Sequence, residues 1–382
     1  MITLLTTDRN LNVVGDPITR YTDIDITLRW NEPDSGTVTV PADGVSVAQL
    51  APGNRLVVIR DGAVFTAGPI ESPGALSWSA AGSDVGAGTI TLAFASDLAS
   101  IVGEVVYPDP ANPITAQTAA RRSFTATNAE TVLRTLVREN VGTLALTARR
   151  IPGLLVANAT GVGSDVSASF RLDYLGDALR SVALAGGGLG FRVDTSADGS
   201  SIIFRVYEPR DLSAQVRFSR GLGNLTAYTY TPAAPTCTVA IVGDVGEGVD
   251  RNFSEFVAEA ASTWGRMVTV LDQRNAENPD EIVQAAMEAL AQGAEAAQFT
   301  ASTIDTPTQR FGTHYGMGDR VSVELDDGVA LTDVVRSVHL KATPREGEVV
   351  TSTIGTQSVT TDPHWVRLFR DLARRLGRLE AI

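Results

Sequence analysis

Two stretches near opposite ends of the chain carry one pattern. PGNRLVVIRDGAVFTAGPI, from Pro52, and MGDRVSVELDDGVALTDVV, from Met317, each read as a Gly turn, an Arg, an alternating apolar strand, an Asp-Gly turn and a second strand. Asp-Gly tolerates the positive φ that a tight hairpin needs. Two copies of one hairpin suggest a duplicated β-barrel with material inserted between the copies. The competing reading is that any two antiparallel hairpins look alike; Arg55 and Arg320, each close behind a glycine, favour duplication. The candidate assembly residues here are Arg55, Leu56 and Val58 in the first hairpin and Arg320, Val321 and Val323 in the second.

The 382 residues, 43% of them apolar, exceed what one hydrophobic core usually serves, so several domains are expected. Only 20% are charged, and Thr, Val, Ala and Gly recur in short runs, which reads as folded and β-rich. A net charge of -13 argues against a protein that grips nucleic acid, since phosphate needs clustered Lys and Arg. One cysteine, Cys237, excludes an intrachain disulfide, and its strand-like flanks suggest a small buried apolar residue. The N-terminus lacks the apolar run of a signal peptide, and no stretch reaches the roughly 18 apolar residues of a membrane span, so a protein made in the cytoplasm with no membrane anchor is expected.

Along the chain, Ile24, Ile26 and Leu28 alternate with polar residues, TVTVPAD continues the habit, and TITLAF ends a first β-barrel domain at residues 1–103. A Pro-rich loop opens an α+β part at 104–215. There Asn128 caps a helix with a Val132, Leu133, Leu136 and Val137 stripe, and a second helix carries Leu175, Leu179 and Val182 up to three glycines. Residues 216–250 are assigned to the second barrel, 251–298 to a peripheral segment and 299–358 to the rest of the second barrel. Within 251–298, Asn278 caps a helix begun by Pro279, Asp280 and Glu281, with Val283, Met287, Leu290 and Ala294 facing one way. The expected class is thus a β-rich α+β protein: two similar antiparallel β-barrels, an α+β peripheral part and a C-terminal helix.

That helix, at 359–382, places Trp365, Phe369, Leu372, Leu376 and Leu379 at 4-3-4-3 spacing, a coiled-coil seam and a further candidate assembly site. Barely two heptads do not hold a helix in water unaided, so it either self-associates or packs on the protein's own body. Catalysis finds no foothold. AGGGLGF follows a helix and precedes a strand, the reverse of a dinucleotide loop, and GDVGEGVD lacks the Lys of a P-loop. His314, His339 and His364 show no zinc spacing, and no GxSxG elbow occurs. No catalytic, cofactor or metal residue is assigned, and no enzyme is expected.

The order of LRWNEPDSGTVTVPAD, LAPGNRLVVIRDGAVFTAGPI, VYEPRDLSAQVRFSRGLGNL, VAIVGDVGEGVDR, STWGRMVTVLDQRN and FGTHYGMGDRVSVEL resembles the tail-hub, or minor tail, proteins of long-tailed phages of actinobacteria, which are similar to the baseplate hub family. The resemblance implies a homotrimeric ring of six barrels at the tail tip of the virion. Such a hub contacts the distal tail protein or tail tube, the tape-measure protein and other tip proteins, and lets genomic DNA pass without specific binding. Three copies would carry -39, and a negative lumen would not retain exiting DNA. A host-glycan recognition module is the alternative, which exposed aromatic side chains would favour.

Overall fold

The computed structural model describes residues 2–42, 49–51, 53–77, 88–196, 199–231, 234–244, 251–274, 276, 278–293, 298–325, 328 and 330–355. The first part of the chain forms β1 (Ile2–Thr7), β2 (Asp23–Arg29), β3 (Ser35–Pro41), β4 (Arg55–Arg60), β5 (Ala63–Ser77) and β6 (Thr89–Ala95). The middle forms α1 (Leu98–Val102), β7 (Arg122–Asn128), α2 (Ala129–Asn140), β8 (Leu154–Val156), β9 (Asp165–Phe170), α3 (Leu175–Ala185), β10 (Gly190–Thr195) and β11 (Ile202–Tyr207). Then come β12 (Arg217–Phe218), β13 (Leu225–Thr231), β14 (Val239–Gly243), β15 (Phe253–Val257), α4 (Ala261–Trp264), β16 (Val268–Asp272), α5 (Pro279–Gln292), β17 (Gln298–Ile304), β18 (Arg320–Glu324), β19 (Ala330–Thr343) and β20 (Gly347–Ile354).

Alternation builds the main sheet. In β2 the buried side chains are Ile24, Ile26 and Leu28, and in β3 they are Val38 and Val40, so one face of each strand meets the core. The β4–β5 hairpin turns at Asp61 (φ 52°) and Gly62 (φ 83°), the pair of positive φ values that matches strand twist. Twelve strands join one sheet, in the path β1-β4-β5-β6-β3-β2-β19-β20-β17-β13, with β18 beside β19 and β12 beside β18.

That path is the same order twice. The strands β4-β5-β6-β3-β2 are answered by β18-β19-β20-β17-β13, and the two sets join where β2 pairs antiparallel with β19; the outermost strands differ, since β1 pairs antiparallel with β4 and β12 pairs parallel with β18. The register repeats as well. Arg55 faces Pro69 as Arg320 faces Val334, and Ile70 faces Phe94 as Val335 faces Ile354. Phe94 then faces Gly36 as Ile354 faces Ala301. Residues 55 and 320, 69 and 334, and 36 and 301 all differ by the same 265 positions. Even the irregularity is copied: Glu71 and Arg336 are the residues stepped over where each long strand passes from its first partner to its second. Such a bulge bends the strand, which lets β5 and β19 each serve two sheet segments.

The expected closed barrels are a correction. Among the described residues neither half closes on itself, because the edge that would complete the first half, the outer side of β2, is taken by β19 of the second. One core, from Ile2 to Ile354, therefore runs under both halves.

A second core, made of Leu11 and residues from Leu98 to Val206, lies between α1, α2, α3 and the strands β7 to β11. Val132, Leu133, Leu136 and Val137 of α2 are all fully buried, and the Asn128 side chain accepts from the Thr131 N–H as the cap. The stretch 216–250 divides: β12 and β13 join the second half, whereas β14 leaves it to pair with β15 and β16 under α5. That small unit has its own core of Ala240, Val242, Ile282 and Ala286.

Helix α5 begins as expected, with the Asn278 side chain accepting from the Glu281 N–H and Pro279 at its first turn. Its buried face differs. Val283 and Met287 are 43% and 53% exposed, while Ile282 and Ala286 are buried. The final helix, with Trp365, Phe369, Leu372, Leu376 and Leu379, lies outside the described residues.

Candidate assembly interface

The hairpin residues singled out from sequence sit mostly inside the subunit. Leu56, Val58, Val321 and Val323 are fully buried in the main core, so their side chains are not contact surface. Arg55 is buried too; its Nε donates to Asp97 Oδ1 at 2.7 Å and its Nη1 to Thr7 Oγ1 at 3.0 Å. Arg320 holds the equivalent backbone position but is exposed, and its N–H donates to the Arg210 carbonyl. What these residues fix is strand position, and the strands then present edges.

The edges differ in how they are covered. Beyond β1 the chain folds back, and Leu4 exchanges backbone hydrogen bonds with Ile18 while the Val14 N–H donates to the Thr6 carbonyl. β12 is only two residues long. β13 is different: LTAYTYT carries no charge and no proline, and among the described residues no strand lies on its outer side. Proteins usually blunt edges with charge, proline or brevity, and β13 has none of these.

Ion pairs lock the two halves together. Arg60 of β4 reaches Asp305 Oδ2 at 3.4 Å and also pairs with Glu348 of β20, while Arg310 pairs with Asp61 in the first hairpin turn. Burial pushes the Asp305 carboxyl above the usual range, against the Phe311 N–H and the Arg60 charge that favour its ionised form. Sequence reasoning missed this group, since partners hundreds of positions apart leave no local signal.

Where both halves meet the α+β part there is a cleft of about 760 Å³, lined by Asp34, Phe65, Phe191, Tyr207, Arg310 and Met317 among others. Asn31 ties its wall: its Nδ2 donates to the Leu189 carbonyl at 2.9 Å and its Oδ1 accepts from the Phe191 N–H at 2.7 Å. The Tyr207 hydroxyl donates to the Met317 carbonyl, and burial pushes that phenol up to about 12. Burial pushes Asp34 up to about 6, although it accepts from the Arg29 N–H and the Thr66 hydroxyl. These polar groups brace the walls. No group of His, Cys, Asp or Glu able to hold a metal occurs among the described residues, and Cys237 is buried.

The sequence matches the family described as Siphovirus ReqiPepy6 Gp37-like protein over residues 2–356. The chain belongs to this siphovirus Gp37-like family. No curated protein matches it at the sequence level. Solved structures show the fold of this Gp37-like chain elsewhere. The 43 kDa tail protein of prophage MuSo2 from Shewanella oneidensis is 12% identical, with a TM-score of 0.58 over 93% of this chain and 98% of that one. A tail protein from Neisseria meningitidis MC58 is 13% identical, with a TM-score of 0.54 over 94% of this chain and 97% of that one. Prophage tail protein gp18 from Listeria monocytogenes EGD-e is 12% identical, with a TM-score of 0.54 over 98% and 99%. The Gp37-like chain therefore has the fold of phage tail proteins, end to end.

Proposed function

We propose that the chain is a structural tail hub, a homotrimeric ring at the tip of a phage tail whose six half-subunit sheets surround a channel for DNA. The observation that carries this reading is the doubled strand order with its repeated register: three subunits then offer six near-equivalent faces to a sixfold tail tube. Hubs of this kind stack between the distal tail protein or tube and the tip proteins, and receive the end of the tape-measure protein. The net charge of -13 suits a channel that DNA must leave. Light scattering and cryo-microscopy of the purified chain test the ring; a threefold particle with a central pore is expected, and a stable monomer with no ring on the grid rejects it. A basic pore wall in that particle would reject the charge argument alone. The glycan-recognition alternative gains no specific support, since the exposed Tyr174, Phe253 and Trp264 sit on separate elements.

A further inference from the structure

The junction between the halves shows how one subunit joins the next. Within the chain, β2 closes against the C-terminal part of β19, with Ser337 facing Arg29, His339 facing Thr27 and Leu340 facing Ile26. The Trp30 N–H extends that ladder to the Arg336 carbonyl at 2.9 Å. By the repeated register, β13 is the second half's copy of β2, because Thr229 faces Thr300 of β17 as Thr27 faces Ser35 of β3. Likewise the C-terminal part of β5 is the first half's copy of the β19 segment that β2 covers. Yet among the described residues each copy is left open: β13 pairs only with β17, and β5 beyond Pro69 pairs only with β6. Among the described residues the chain thus carries one completed joint and the two unmatched halves of a second.

We propose that the outer edge of β13 pairs antiparallel with the C-terminal part of β5 in a second copy of this chain, reproducing the internal β2–β19 joint. The inference rests on the ring reading and goes further, by naming the two edges and their register. Between Ser72 and Ala75, β5 steps three residues while β6 steps two, so Ala75 opposite Thr91 stands where His339 stands opposite Thr351. Carrying the internal pairs across then sets Ala75 opposite Thr229, Leu76 opposite Tyr228 and Ser72 opposite Thr231 of the second copy. Pro73 falls inside the irregular step, where a missing N–H costs no ladder bond.

Burial and composition agree with a missing neighbour. Ile24, Ile26 and Leu28 of β2, flanked on both sides, are 0%, 0% and 7% exposed, whereas Tyr230 near the end of β13 is 44% exposed. The LTAYTYT sequence is rich in the Thr and Tyr that favour a strand with neighbours; it carries no charge and no proline, and its one irregularity, between Leu225 and Ala227, lies outside the stretch 228–231 proposed to pair. Because the two edges are different surfaces, the contact is head-to-tail, the kind that builds the proposed ring when its rotation closes.

The test uses the full chain in a Cys237→Ala background, with Ala75→Cys and Thr229→Cys together and each alone. Antiparallel partners sit within disulfide reach, and neither position carries a charge or a large side chain. After mild oxidation the double variant should give covalent dimers and trimers that collapse on reduction, and the single variants should give none. Light scattering on the same samples separates the two claims. A trimeric mass without cross-linking overturns the β13–β5 joint and leaves the ring standing; a monomeric mass without cross-linking overturns both. Stronger cross-linking of Ala75→Cys with Ala227→Cys than with Thr229→Cys overturns the register.

Discussion

Equivalent positions in the two halves show how packing is conserved while residues change. Gly36 faces Phe94, and a Cβ on Gly36 would lie 2.7 Å from the Phe94 ring and 2.8 Å from Ile26; the second half has Ala301 facing Ile354 in the same place. One methyl is exchanged for a smaller neighbour. Gly36→Ala should cost about 1–3 kcal/mol by overpacking. Adding Phe94→Ile should recover part of that loss, a coupling that a double-mutant cycle by urea unfolding measures. Asp34 gives a pH signature. Its carboxyl is raised to about 6 in the folded protein against an ordinary value of 3.8, so the folded state binds the extra proton and stability falls as pH rises from about 4 to 6. Asp34→Asn should therefore be more stable to urea than the parent at pH 8, by up to about 3 kcal/mol, and the gap should shrink toward pH 4. No gap at pH 8 would show that the cleft does not penalise the charge. Arg60→Ala, which strands Asp305 without its cation, should cost about 3 kcal/mol in the same assay.

At the scale of elements, the α+β part depends on one carboxylate. Glu130, in the first turn of α2, accepts from the N–H groups of Thr160, Gly161 and Val162 at 2.6–3.0 Å and so holds the loop before β9. Burial raises its pKa, but these donors and the Thr160 hydroxyl outweigh burial and leave it below the usual carboxylate range. Its contribution is present above pH 4.5 and is lost as pH falls through the lowered value. Glu130→Gln should destabilise by about 1.5–3 kcal/mol at pH 7 and progressively less as pH falls through the lowered value, with hydrogen exchange at 160–162 accelerated. Helix α2 was legible from its apolar stripe, but the buried face of α5 was not. Gly293, just past α5, lies so close to the Cys237 backbone that a Cβ would be 2.3 Å from the cysteine Cβ. Close approach selected the small residues Ala286 and Gly293 on the buried side, where Ile282 also packs, and Val283 and Met287 lie outside.

For the whole molecule, assembly is the governing question. The C-terminal seam expected from the sequence would be a second route to association. Replacing Leu372 and Leu376 with Asp puts charge into that seam and should abolish any coiled coil. If the solution mass and incorporation into tails both stay unchanged, the seam has no part in assembly and the strand edges carry it alone. A trimer lost in this variant, with the disulfide joint still forming, would show that the helices add strength to a ring whose geometry the sheets set.

The sequence by itself determined the two hairpins, the Asp61-Gly62 turn of the first, the stripe of α2 and the capped start of α5, because each is written in residues a few positions apart. It also carried the duplication, which became certain only when the register was seen to repeat. Tertiary structure alone decided that β2 closes on β19 and not on its own half, that β14 leaves the sheet, and that Arg60 pairs with Asp305 and Glu348. The β2–β19 joint and the Arg60 pairs link segments hundreds of residues apart, and in all three choices sheet edges and charges find partners by geometry, with no local pattern naming the partner.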